Sequence, residues 1–132
     1  MSEIIVPIAP GELIDKLTIL RLKRERITDE AKRANVRHEE AMLQAVADTL
    51  PASAELTGLQ DDLYAINARL WVIEDDIRQC ERAGDFGPRF IELARSVYRV
   101  NDERAAVKKA INLHLGSAII EEKSYADYTG DG

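Results

Sequence analysis

Between residues 53 and 83, apolar side chains recur in alternating steps of three and four: Leu56, Leu59, Leu63, Ile66, Leu70, Ile73, Ile77 and Cys80. This spacing holds one face of an α-helix apolar for more than three heptads, whereas a strand would alternate at every second residue. Pro51 and Ser53 supply a start signal and Gly84 a stop. A helix over 53–83 would be about 45 Å long at 1.5 Å per residue. Its apolar stripe has to be covered by other helices, which makes the chain all-α. Composition agrees. With 45% apolar residues, only seven Gly and four Pro, the chain is too hydrophobic for disorder and too poor in turn residues for an all-β domain.

A second helix is expected over 88–115, starting at Pro88 and ending before Gly116, with the stripe Leu93, Val97, Val100, Arg104, Val107, Ile111 and His114 or Leu115. The connector at 83–87 is short, so these two helices form an antiparallel hairpin in which facing residue numbers add to about 171. The remaining helix, 11–48, carries Leu13, Leu17, Leu20, Arg24 and Ile27, continued by Ala31, Ala34, His38, Ala41 and Ala45. Thr28-Asp29-Glu30 is either a kink or a break with Asp29 as N-cap. Left unbroken, this helix pairs with 53–83 at residue numbers adding to about 101, setting its small alanines against Leu56, Gln60, Asn67 and Leu70.

The leading expectation is therefore an elongated antiparallel three-helix bundle of coiled-coil hairpins. The alternative is four helices, up-down-up-down, if the chain breaks near 28–30. Short extended segments, 1–10 and 117–132, complete one helical domain over 1–132. Three helices would put Ile4-Ile5-Val6 and Ile119-Ile120 at opposite ends, whereas four would let them pair within one chain. The longest apolar run, Ile4 to Pro10, is too short to cross a bilayer and has no basic segment before it. A single cysteine gives no disulfide framework. A cytoplasmic protein with no membrane role is expected.

The strings Pro-Gly-Glu-Leu-Ile-Asp-Lys-Leu-Thr-Ile-Leu (10–20), Leu-Trp-Val-Ile-Glu-Asp-Asp-Ile-Arg (70–78), Phe-Ile-Glu-Leu-Ala-Arg-Ser-Val-Tyr (90–98) and Glu-Glu-Lys-Ser-Tyr (121–125) resemble a family of small, uncharacterised helical proteins of bacteria and phages. The resemblance covers nearly the whole chain. It implies no assigned activity, and it implies company with glycosyltransferase or surface-polysaccharide proteins.

Charge is organised along the chain: residues 12–38 balance at +3, 39–85 at −8 and 86–115 at +3. Packed helices of alternating sign attract one another, and a net charge of −6 speaks against nucleic acid as a partner despite Lys23-Arg24-Glu25-Arg26. Neither histidine, His38 or His114, has a second imidazole at ligand spacing, and no cofactor or metal is implied. Gly116-Ser117-Ala118 is not a nucleophile elbow, because it follows a helix. Cys80 completes an apolar seam.

Two polar features remain. Glu74-Asp75-Asp76 is expected beside Arg24, Arg95 and Arg99, three cations around three anions. Carboxylate clusters of helical nucleotide pyrophosphohydrolases offer a Mg²⁺-binding alternative, but Asp62 and Asp76 lie about 21 Å apart along one helix, too far to share an ion. Arg24 and Arg104 interrupt apolar stripes, where an unpaired charge is costly. They are expected to pair, Arg24 with Glu74 and Arg104 with Asn67 or Asn101. The alternative resembles a chorismate mutase: Arg24, Arg104 and Lys108 lining an anion pocket between helices. Asp15 is read as an acid favouring its helix dipole.

A non-catalytic interaction or oligomerisation module is the leading function, as a homodimer or with another protein partner. Its candidate interface is Val36, Leu43 and Leu50 on a second apolar face, with Trp71, Tyr125 and Tyr128. A small enzyme or binding protein for an anionic metabolite is the alternative.

Overall fold

The computed structural model describes residues 3–129, so the outermost residues of the two expected extended segments lie outside it. It contains four helices: α1 (Pro10–Arg26), α2 (Glu30–Ala47), α3 (Ala54–Ala83) and α4 (Pro88–His114). There is no strand among the described residues. The architecture is the four-helix alternative, and the leading three-helix expectation is corrected at residues 27–29. Ile27 turns to an extended conformation, and the Asp29 side chain accepts the Lys32 N–H at 3.0 Å. A capped N-terminus begins there, and one long helix becomes two.

The other ends follow local chemistry. Ser53 caps α3 by accepting the Leu56 N–H at 3.0 Å, and Gly84 ends it in the left-handed region at φ 68°, where only glycine is free of a Cβ penalty. Pro88 opens α4, and Gly116, at φ 64°, follows its end.

Helix α1 lies in the middle, packed by α2, α3 and α4. Eight of its seventeen residues are buried, and they occupy nearly every face: Gly11, Leu13, Ile14, Asp15, Leu17, Thr18, Leu20 and Leu22. A helix surrounded by neighbours buries polar positions together with apolar ones. One apolar cluster joins Leu13, Ile14 and Leu17 to Leu56, Leu63 and Ile111; a second joins Ile66, Leu70 and Val100.

Helix α2 packs on α1, and Leu43, Ala47 and Leu50 cover the first cluster. Its inward face runs Arg33, Val36, Glu40, Leu43 and Ala47, in steps of three and four. Ala31, Ala34, Ala41 and Ala45 face solvent, so the expected fit of small alanines against α3 is not formed. The break at 27–29 restarts the helical phase, and the larger Val36 and Leu43 bury more apolar area than alanines would. Among the described residues, no helix is long and apolar enough to cross a membrane.

Candidate functional site

The N-terminal half of α1 meets α3 and α4 around polar groups that an apolar bundle would exclude. Asp15 is only 1% exposed. Its carboxylate accepts two guanidinium hydrogen bonds from Arg104, through Nε at 2.8 Å and through Nη2, and a third from Asn67 Nδ2 at 2.9 Å. The same Asn67 nitrogen donates to Thr18 Oγ1 at 2.8 Å, and that hydroxyl donates to the Asp15 carbonyl at 2.7 Å. Arg104 Nη1 approaches Asn101 Oδ1 at 3.5 Å. Forked pairing of this kind compensates a buried carboxylate, and in return the Asp15 bond raises the guanidinium pKa against the opposing pull of burial.

One turn toward the N-terminus of α1, the pattern repeats with a lysine. Lys108 Nζ donates to Glu12 at 2.6 Å and to Glu121 at 3.4 Å. Burial pushes the Lys108 ammonium down, but the Glu12 hydrogen bond and the charges of Glu12, Asp15 and Glu121 outweigh it and leave its pKa raised. The backbone closes in here as well: Gly11 N–H donates to Asn112 Oδ1 at 2.7 Å. A Cβ on Gly11 would lie 2.9 Å from that oxygen and closer still to the Lys108 carbonyl oxygen. Glycine is needed here for close helix approach, not for an unusual φ.

Two clefts flank Arg104 and Asn101. One, of about 450 Å³, is lined by Arg104, Lys108 and Tyr98 of α4 and by Glu121, Lys123 and Tyr125 of the C-terminal segment. That segment is pinned along α4 by Lys123–Asp102 at 3.3 Å and by the rings of Tyr98 and Tyr128, 4.8 Å apart. The other cleft, of about 350 Å³, lies between α1, α3 and α4. Its floor carries Asn67, Asn101 and Arg104, its walls include Leu22, Leu70 and Trp71, and Glu74 and Asp75 complete the lining.

The expected cluster of three cations around Glu74-Asp75-Asp76 does not assemble. Arg24 instead pairs with Glu40 of α2 at 2.8 Å, because the break after α1 places α2, not α3, against it. Arg95 and Arg99 both turn to Glu92 on their own helix, at 3.7 and 3.3 Å. Glu74 holds Arg78 at 2.6 Å, and Arg89 reaches Asp76 at 3.7 Å. Asp75 joins no ion pair among the described residues. The structure does bring Arg104 and Lys108 together, each facing a carboxylate of α1. It also sets Arg104 in one cleft with Glu74 and Asp75.

Of the expected interface residues, Val36 is 8% exposed, and Leu43 and Leu50 pack on the chain's own core, which leaves that face little apolar surface for a second molecule. Trp71 is half-buried on the wall of the smaller cleft, with the Arg26 guanidinium 5.7 Å from its ring. Tyr125 and Tyr128 are exposed on the C-terminal segment.

Sequence reasoning gave Asp15 no role beyond its helix dipole and did not single out Glu12, Gly11 or Asn112 as site residues. A signal existed for Asp15. Leu13, Ile14, Leu17, Ile19, Leu20 and Leu22 leave α1 no polar face, so the acid in their midst had to be inside with a partner.

A model of a family of unknown function (DUF6165) matches residues 4–130, and the chain belongs to that family. No curated protein and no solved structure was found to match it.

Proposed function

We propose that this member of a family of unknown function is a non-catalytic helical interaction module that associates with a second copy of itself through its extended terminal arms. The observation that carries this reading is that both arms expose clustered apolar side chains, whereas Met42, Val46, Val72, Ile91 and Leu113 are exposed singly along the helices. Ile4, Ile5 and Val6 are 76%, 91% and 62% exposed in an extended segment, and Ile119, Ile120, Tyr125 and Tyr128 are exposed in the other. Both arms leave the same end of the helices, since Glu12 and Glu121 meet one lysine. Consecutive β-branched residues in extended backbone suit strand pairing, and an extended segment outside any sheet is a template for another chain. The inward cations support the same reading, because each is already paired with a carboxylate of its own chain.

The glycosyltransferase or surface-polysaccharide proteins implied by the resemblance would be further partners for these arms, in the cytoplasm, where the free, buried Cys80 is at home. Sedimentation equilibrium across a hundredfold concentration range tests the dimer. A concentration-dependent dimer is expected, with Ile4→Ser/Ile5→Ser shifted toward monomer. A strict monomer at the highest concentration refutes self-association.

A further inference from the structure

The smaller cleft holds polar groups whose bonding capacity the fold leaves open. Asn67 is 5% exposed, and its amide nitrogen is turned to Asp15 and Thr18. Its carbonyl oxygen accepts no hydrogen bond from the described residues, and the cleft is the open space that Asn67 lines. That oxygen meets the cleft rather than the sealed interior, so a donor entering the cleft can reach it. Asn101 shows the complementary half. Its oxygen faces Arg104 at 3.5 Å, and its amide nitrogen donates to no described residue. Arg104 uses Nε and Nη2 on Asp15 and one Nη1 hydrogen on Asn101, leaving a second Nη1 hydrogen for the cleft.

Also lining the cleft, eight residues beyond Asn67 and so about 12 Å along α3, Asp75 has no ion pair among the described residues. Between the two poles run the apolar walls of Leu22, Leu70 and Trp71.

We propose that this cleft is a binding site for a free basic amino acid, lysine or arginine. The ligand carboxylate takes the N–H groups of Asn101 and Arg104, its α-ammonium donates to the Asn67 carbonyl, its aliphatic stem lies on Leu70 and Trp71, and its terminal cation meets Asp75. The cleft volume of about 350 Å³ suits a ligand of this size. Charge selects among alternatives. Arg104 is neutralised by Asp15 and Glu74 by Arg78, which leaves Asp75 as the lining carboxylate without an ion pair among the described residues and open to a cation, with the Arg26 guanidinium 5.7 Å from the Trp71 ring. A simple amine would leave Asn101 and Arg104 unfilled, and a neutral sugar would leave Asp75 unpaired. This inference does not depend on the dimer.

Titration calorimetry on the whole protein with L-lysine, L-arginine, cadaverine and L-norleucine tests it. The last two probes lack the carboxylate end and the terminal cation, respectively. Saturable binding of L-lysine or L-arginine is expected, with both truncated probes at least about tenfold weaker, the loss of a charge-assisted contact. Asp75→Asn, at an exposed position without an ion pair, is expected to stay folded by circular dichroism and to lose a similar factor. Asn101→Ala is expected to weaken L-lysine but not cadaverine. The proposal is overturned by the absence of saturable binding at about 10 mM, by equal affinity for either truncated probe, or by unchanged binding to folded Asp75→Asn.

Discussion

Replacing Arg104 by methionine removes the partner of the most deeply buried charge in the molecule. Asp15 is 1% exposed and cannot turn to water, whereas the Arg104 side chain is 29% exposed and can. Breaking a buried pair by deleting one member costs about 3–5 kcal/mol, because the other charge stays desolvated. Asp15 would keep the Asn67 N–H as a donor, which places the loss near the lower end, about 3 kcal/mol. For a chain of this length that is a fall in Tm of about 10 °C. The opposite deletion, Asp15→Leu, leaves a guanidinium that reaches solvent and costs about 1–2 kcal/mol. The double variant Asp15→Leu/Arg104→Met replaces both charges with apolar groups and returns to within about 1 kcal/mol of the parent. Thermal and urea unfolding at pH 7, followed by far-ultraviolet circular dichroism, give all four corners of the cycle. A loss below about 1 kcal/mol for Arg104→Met, or a double variant no better than that single one, would refute the reasoning that the pair is held by burial.

Gly11→Ala puts a methyl group into the Lys108 backbone carbonyl, which cannot swing aside as a side chain would, and a loss of about 1–3 kcal/mol in urea unfolding is expected; unchanged stability would mean that α1 and α4 are not held this closely. Lys108, whose pKa is raised from an ordinary 10.5, makes the folded state the tighter proton binder. Its contribution is full below pH 10.5 and declines as pH rises through the raised value. Lys108→Met should lose less stability than the parent across that alkaline window, and parallel pH profiles for the two would contradict the assignment.

The apolar seam of α3 and its Ser53 and Gly84 signals were legible because they are local: periodicity and capping act within a few residues of chain. The break at Asp29 was legible as an alternative, since the cap residue is visible, but whether a helix passes through such a residue depends on what its two halves can bury. Helix α2 shows why. Its alanine face and its Val36–Leu43 face are both helical stripes, and only the position of α1 decides which turns inward. The same holds for the site. Arg104 and Lys108 stand out in sequence as cations in an apolar stripe, whereas their partners Asp15 and Glu12 look like ordinary first-turn acids. A pairing across 89 residues is not a pattern in any window of the chain.

The amino-acid order alone thus determined that this chain is helical, where α3 begins and ends, and that inward cations needed compensation, because helix formation, capping and the cost of a buried charge are properties of residues and their near neighbours. Tertiary structure decided that α1 is packed by all three other helices, that α2 presents Val36 rather than its alanines, and that Asp15 faces Arg104 while Asp75 joins no ion pair among the described residues. Those outcomes depend on which helix lies beside which, and that is fixed by the combined burial of all four.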